Sequence, residues 1–121
     1  MKLKDYYKAI GENYDLLLNR LLSSERIEKY LGIFFSDNEV YDLKAQIINN
    51  DFQSAINTAH TLKGVTATLG FDHLASDICK LHGVLKNNDN EKADILLRHI
   101  VEEYERIYNL WFSIHDKVGV Q

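Results

Sequence analysis

Residues 51–70 read DFQSAINTAHTLKGVTATLG. Asp51 has a side chain suited to an N-cap, and Gly70 stands where a helix end favours left-handed backbone. No proline intervenes, so the spacing predicts one helix over residues 52–69. On a wheel turning about 100° per residue, with His60 at zero, Ala55, Ala59, Leu62, Thr66 and Leu69 fall between roughly 180° and 260°. This is a buried stripe built mainly from small residues. His60 points about 140° away from its centre, toward solvent. Gln53, Ile56, Asn57, Lys63, Gly64 and Ala67 share that outer face.

The flanking sequence has the same helical period. Residues 2–10 suit a short helix ending near Gly11, and Asn13 precedes a second short segment through Leu18. Ser24 is the expected cap of a helix through Ile27, Tyr30, Leu31 and Phe34, with Glu25 favoured in its first turn. Ser36 and Glu39 form an S-x-x-E capping box for a helix burying Val40, Leu43, Ile47 and Ile48. Past a turn at Gly70 and Asp72, Leu74, Ile78, Leu81 and Leu85 make one stripe. Asn88 with Glu91 then caps a last helix over residues 91–116, whose stripe is Ala93, Leu96, Ile100, Tyr104, Ile107 and Trp111. No segment alternates with a two-residue period. The expected fold is all-α: an up-and-down antiparallel four-helix bundle over residues 24–116, with extra short N-terminal helices in residues 1–22, and residues 1–121 forming one domain.

Composition agrees with this organisation. The chain has 121 residues, no proline and six glycines, so few breaks interrupt long helices. Its 45% apolar and 26% charged content excludes disorder as the default. A net charge of −4 argues against nucleic acid as a partner. The lone cysteine, Cys79, cannot form an internal disulfide, which suits a reducing, cytoplasmic setting. No apolar run reaches the ~18 residues of a membrane span, so no membrane partner is expected.

The oddity is Gly64. A glycine inside a helix costs about 1 kcal/mol relative to alanine, and on the outer face core crowding does not explain it. Its use there is clearance, letting a group as bulky as a phosphate approach the imidazole one turn away. Lys63, also one turn from His60, offers an ammonium to neutralise an added anion. Unprotonated imidazole is itself a nucleophile.

Ala59-His60-Thr61-Leu62-Lys63-Gly64 resembles the AHxLKG signature of histidine-containing phosphotransfer (HPt) domains, the phosphocarriers of multistep two-component relays. Asn50-Asp51-Phe52 is similar to the family's GD-W/F helix start, with Asn replacing Gly. Ala67-Thr68-Leu69-Gly70 resembles its A-x-L-G continuation, and Leu31 to Phe35 more loosely its upstream L-x-x-F helix. The resemblance runs from about Asn13 to Asp116 and is strong over residues 51–85.

The resemblance implies that His60 accepts the phosphoryl group, Lys63 flanks it and Gly64 clears space for it. It also implies that the position 22 residues after His60 holds a polar side chain bonded to the imidazole nitrogen that is not phosphorylated. Here that residue is His82, where Gln or Glu is more usual, which would make the orientation of His60 pH-sensitive. His82 lies about 70° off its helix's apolar stripe. The implied activity is to accept phosphoryl from a receiver-domain phospho-aspartate and pass it to another receiver. The chain would be a phosphocarrier without its own ATP site. The implied partners are response-regulator receiver domains, a hybrid histidine kinase, or both. Magnesium belongs to the receiver, and the carrier needs no cofactor. Gln53, Ile56, Asn57 and Ala67 are the expected docking contacts, and a monomer is the expected state.

Two other classes stand beside this one. An interaction-only bundle would bind receivers without transfer, but it has no need of the His60, Lys63 and Gly64 set. A metal-binding bundle would need more than the C-x-x-H of Cys79 and His82. His73, His99 and His115 are scattered, and no P-loop or nucleophile elbow is present.

Overall fold

The computed structural model describes the backbone of residues 3–119 and the side chains of residues 3–114. Lys2 and the His115 side chain therefore lie outside the described residues. Seven helices follow in order among those residues: α1 (Leu3–Ala9), α2 (Tyr14–Leu21), α3 (Ser24–Ser36), α4 (Glu39–Ile48), α5 (Phe52–Thr68), α6 (Asp72–Lys86) and α7 (Asn90–Gly119).

Local chemistry sets the boundaries. The Asn13, Ser23 and Asp51 side chains accept the backbone N–H groups of Leu16, Arg26 and Ser54, closing the first turns of α2, α3 and α5. Gly70 takes φ +77°, the left-handed turn that releases the chain from α5 into α6. Asn50 and Asn88 make the same left-handed exit after α4 and α6, which asparagine tolerates better than most residues.

Several expected caps move by one or two residues. Ser23, not Ser24, caps α3. Ser36 forms no capping box: α3 runs through it, and its hydroxyl donates back to the Gly32 carbonyl at 2.7 Å. Asn38 occupies the cap of α4 without a side-chain bond. Asp89, not Asn88, accepts the Lys92 N–H at the start of α7, because Asn88 is committed to the left-handed turn.

The core is continuous through all seven helices. The α5 stripe of Ala55, Ala59, Leu62 and Thr66 is fully buried, and Thr66 satisfies its hydroxyl on the Leu62 carbonyl at 2.7 Å. Its small side chains let neighbours approach closely, and α5 packs on both α4 and α6. In turn α7 packs on α6 and α4, which closes a ring of four helices. Phe34, Phe35, Phe71, Tyr104 and Trp111 fill one end. Three expected core residues differ. Ile48 and Tyr30 face solvent, and on α7 Leu97 rather than Leu96 is buried.

The two short helices cover the aromatic end and are tied there by polar bonds as well as packing. Tyr6 donates to the Ile107 carbonyl and Tyr7 to the Leu69 carbonyl, both at 2.7 Å. Arg106 reaches the Ile10 carbonyl from α7. The Tyr7 bond ties α1 to the residue that ends α5, and the other two tie α1 and the turn after it to α7.

Candidate functional site

Because α5 buries one stripe against two helices, its opposite face must be wet. His60 is exposed in the middle of that face. Gln53, Asn57, Gly64 and Ala67 are exposed on it too, whereas Ile56 and Lys63 are half-buried at its margins. Gly64 has no heavy atom within 4 Å of where a Cβ would stand, so the flank of the imidazole is open.

On one side of this face stands α6. The His82 ring lies with its centroid 5.8 Å from that of His60, tilted by 41°. Two imidazoles sharing a direct N–H···N bond have centroids about 5.2 Å apart, so the rings are adjacent and slightly separated. His82 is half-buried. Its pKa is lowered, first by loss of water and then by the cations Lys86 and Lys63 and the His60 ring. The uncharged form of His82 is therefore favoured, and Lys63 is near enough to this ring to influence it.

On the other side lies an apolar groove that sequence patterning missed. Tyr30, Ile33 and Phe34 of α3 form one wall, Thr61, Gly64, Val65 and Thr68 of α5 the other, and Leu21 closes one end. Asp37 and Glu39 mark the opposite rim. Burial there pushes the Glu39 carboxyl upward, helped by Asp37 and Asp42. Two exposed apolar residues one turn apart, Tyr30 and Ile33, mark it in the structure, but the helical period places Tyr30 with the buried residues, so the sequence carries no signal for it. Arg20 was missed as well: its guanidinium donates to the Ala67 carbonyl at 2.8 Å, placing a second cation at the end of the outer face.

Of the remaining candidates, Cys79 stands one turn before His82 on α6. Cys79 is exposed and free. His73 pairs with Glu12 at the start of α6, and His99 is exposed on α7. Among the described residues no three His, Cys, Asp or Glu side chains are placed to hold a metal ion together, and no helix is long and apolar enough to cross a membrane.

The arrangement is thus an open imidazole with clearance on its flank, a lysine and a second imidazole to one side, and an apolar groove to the other. A family model described as Hpt domain matches residues 29–109, from within α3 to within α7. No curated protein and no solved structure matches the chain.

Proposed function

This chain belongs to the Hpt domain family, and on that premise we propose that it is a phosphohistidine carrier with His60 as the acceptor. The observation that carries the proposal is the exposed His60 ring with open space at Gly64 beside it. An unprotonated ring nitrogen of His60 attacks the phosphorus of a receiver's phospho-aspartate. The N–P bond forms, the P–O bond breaks, and the aspartate carboxylate leaves with the electron pair. A second receiver aspartate takes the group by the reverse displacement.

The division of labour follows from the chemistry of phosphoryl transfer, in which positioning and charge neutralisation do most of the work. The receiver brings magnesium and most of the transition-state stabilisation. The carrier brings the nucleophile, the Lys63 ammonium and the clearance of Gly64. No ATP chemistry on this chain is required, so it acts as a carrier rather than an autonomous enzyme.

Receiver domains of response regulators, or of a hybrid kinase, dock over the outer face of α5. Gln53, Ile56, Asn57 and Ala67 supply contacts around His60, and the apolar groove beside Gly64 offers a foothold for a receiver's apolar helix face. A relay contact must release quickly, which suits a modest interface. The chain works as a cytoplasmic monomer and one unit, with α4–α7 as an up-and-down antiparallel bundle. The ring of contacts among those four helices supports that arrangement.

The test is transfer from a radiolabelled phospho-receiver to the full chain and to His60→Gln. Label should appear on the wild type and be absent from the variant, with helicity retained. Binding without labelling of the wild type would instead identify an interaction-only bundle.

A further inference from the structure

His82 has a chemical capacity that the carrier reading leaves unused. We propose, resting on that reading, that His82 is the proton acceptor for His60: as phosphoryl arrives on one ring nitrogen of His60, the proton on the other moves to His82. The two rings are already neighbours, 5.8 Å between centroids and 41° apart in tilt. Closing to a direct bond, with centroids about 5.2 Å apart, takes a small swing of the exposed His60 ring.

The step balances without any further reactant. His60 gives a lone pair to phosphorus, and the phospho-aspartate carboxylate departs with the electrons of the broken P–O bond. If the second His60 nitrogen kept its proton, the phosphorylated ring would be a cation and a good leaving group. Transfer of that proton to His82 leaves a neutral phosphoimidazole, a poorer leaving group, beside an imidazolium. Unloading reverses the move: His82 returns the proton and restores the cationic leaving group for the next receiver. A glutamine at this position would accept a hydrogen bond but not the proton.

The surroundings suit both halves of the cycle. Before loading, His82 must be uncharged to accept. Partial burial lowers its pKa, and so do Lys86 on its own helix and Lys63 and His60 from α5. After loading, a group carrying about two negative charges near neutral pH stands beside the ring. That charge offsets the lysines and favours protonated His82. The two rings therefore hold the same protons throughout: His82 is uncharged when the site is empty and carries the proton from His60 when it is loaded.

The full chain can be loaded with phosphoramidate, a small-molecule donor, and the His82 ring followed by 1H–15N NMR across pH in the empty and loaded states. The expected result is an upward move of the His82 titration midpoint on loading, with a step in phospho-His60 lifetime at that midpoint. In His82→Gln the step should vanish and the lifetime near neutral pH should shorten several-fold. An unmoved midpoint in the loaded wild-type chain overturns the proposal, whether or not the variant folds. So do superimposable lifetime profiles for the two proteins. Failure of His60 to load from both phosphoramidate and a phospho-receiver is a different result, which overturns the carrier reading and this proposal with it.

Discussion

The Glu12 carboxylate accepts the backbone N–H of His73 at 3.0 Å and stands 3.2 Å from the same residue's ring Nδ1. Phe71, at the N-cap of α6, has no side chain able to cap it, so a residue some sixty positions upstream supplies the missing acceptor. The Glu12 side chain is only 6% exposed, and its negative charge sits at the positive end of the helix dipole. Glu12→Ala should therefore lower the unfolding free energy by about 1–2 kcal/mol, the usual cost of losing a cap. Urea denaturation measures this directly. Unchanged stability would mean that water replaces the carboxylate at no cost. Phosphoryl acceptance by His60 should survive the change, because the cap lies apart from the outer face of α5.

Gly64 separates folding from function in a way few positions do. It is helical, exposed and free of neighbours, so Gly64→Ala should raise stability by about 0.5–1 kcal/mol through reduced freedom of the unfolded chain. Gly64→Glu should also fold, yet block acceptance from a phospho-receiver by placing bulk and negative charge where the phosphoryl group enters. The pair is checked by thermal unfolding and a transfer assay. Normal transfer by Gly64→Glu would remove clearance as the reason for this glycine.

Much of this was legible because the α5 pattern is one-sided. Ala55, Ala59, Leu62, Thr66 and Leu69 are buried as their wheel position predicts, and the exposure of His60 follows from theirs. What escaped was decided by tertiary structure. Asn87-Asn88-Asp89-Asn90 offers four residues that suit a cap or a left-handed turn, and their order of use depends on where α6 must end. Ser36 was overtaken because Phe34 and Phe35, both buried, draw α3 onward into the aromatic core. Leu97 displaces Leu96 because α7 packs on both α6 and α4, so its buried stripe serves two neighbours. The groove combines residues from four separate helices, α2 to α5, and the Glu12 cap joins the loop before α2 to the distant start of α6. Periodicity within a single helix carries no signal for either.

Lys63 should act on charge rather than on shape. It is half-buried, within electrostatic reach of the His82 ring and one helical turn from His60, where an ammonium interacts more strongly than one fully in water. Lys63→Ala should slow phosphoryl acceptance roughly tenfold, equivalent to about 1.4 kcal/mol of transition-state stabilisation, with helicity unchanged. Rapid-quench transfer kinetics give the comparison. An unaltered rate would assign neutralisation of the phosphoryl group entirely to the receiver and its magnesium.

The groove beside Gly64 predicts a partner-specific effect. Ile33 is 49% exposed on its wall, so Ile33→Ser removes little core and should alter stability by no more than about 0.5 kcal/mol. It should weaken transfer from a receiver, seen as a several-fold higher receiver concentration at half-maximal rate. Loading by phosphoramidate, which needs no docking, should be unaffected. Equal losses with both donors would show that the substitution disturbed His60 itself rather than a docking wall.

His82 also gives folding stability a defined pH dependence. Its folded pKa lies below the ordinary histidine value of 6.5, chiefly because burial disfavours the charged form. Below that value the unfolded chain therefore takes up more proton at this residue than the folded chain does, and stability rises with pH across the interval. The stability is fully present above 6.5 and is lost as pH falls through the lower, folded pKa. The expected loss is modest, since the ring keeps part of its contact with water. Chemical denaturation between about pH 7 and pH 5 should show wild-type stability declining more steeply than that of His82→Gln. Subtracting the two curves cancels carboxylates and other histidines that titrate alike in both proteins, leaving the His82 contribution. Parallel curves would mean that His82 titrates alike in the folded and unfolded chains. The lysines and the His60 ring would then no longer account for an uncharged proton acceptor beside His60.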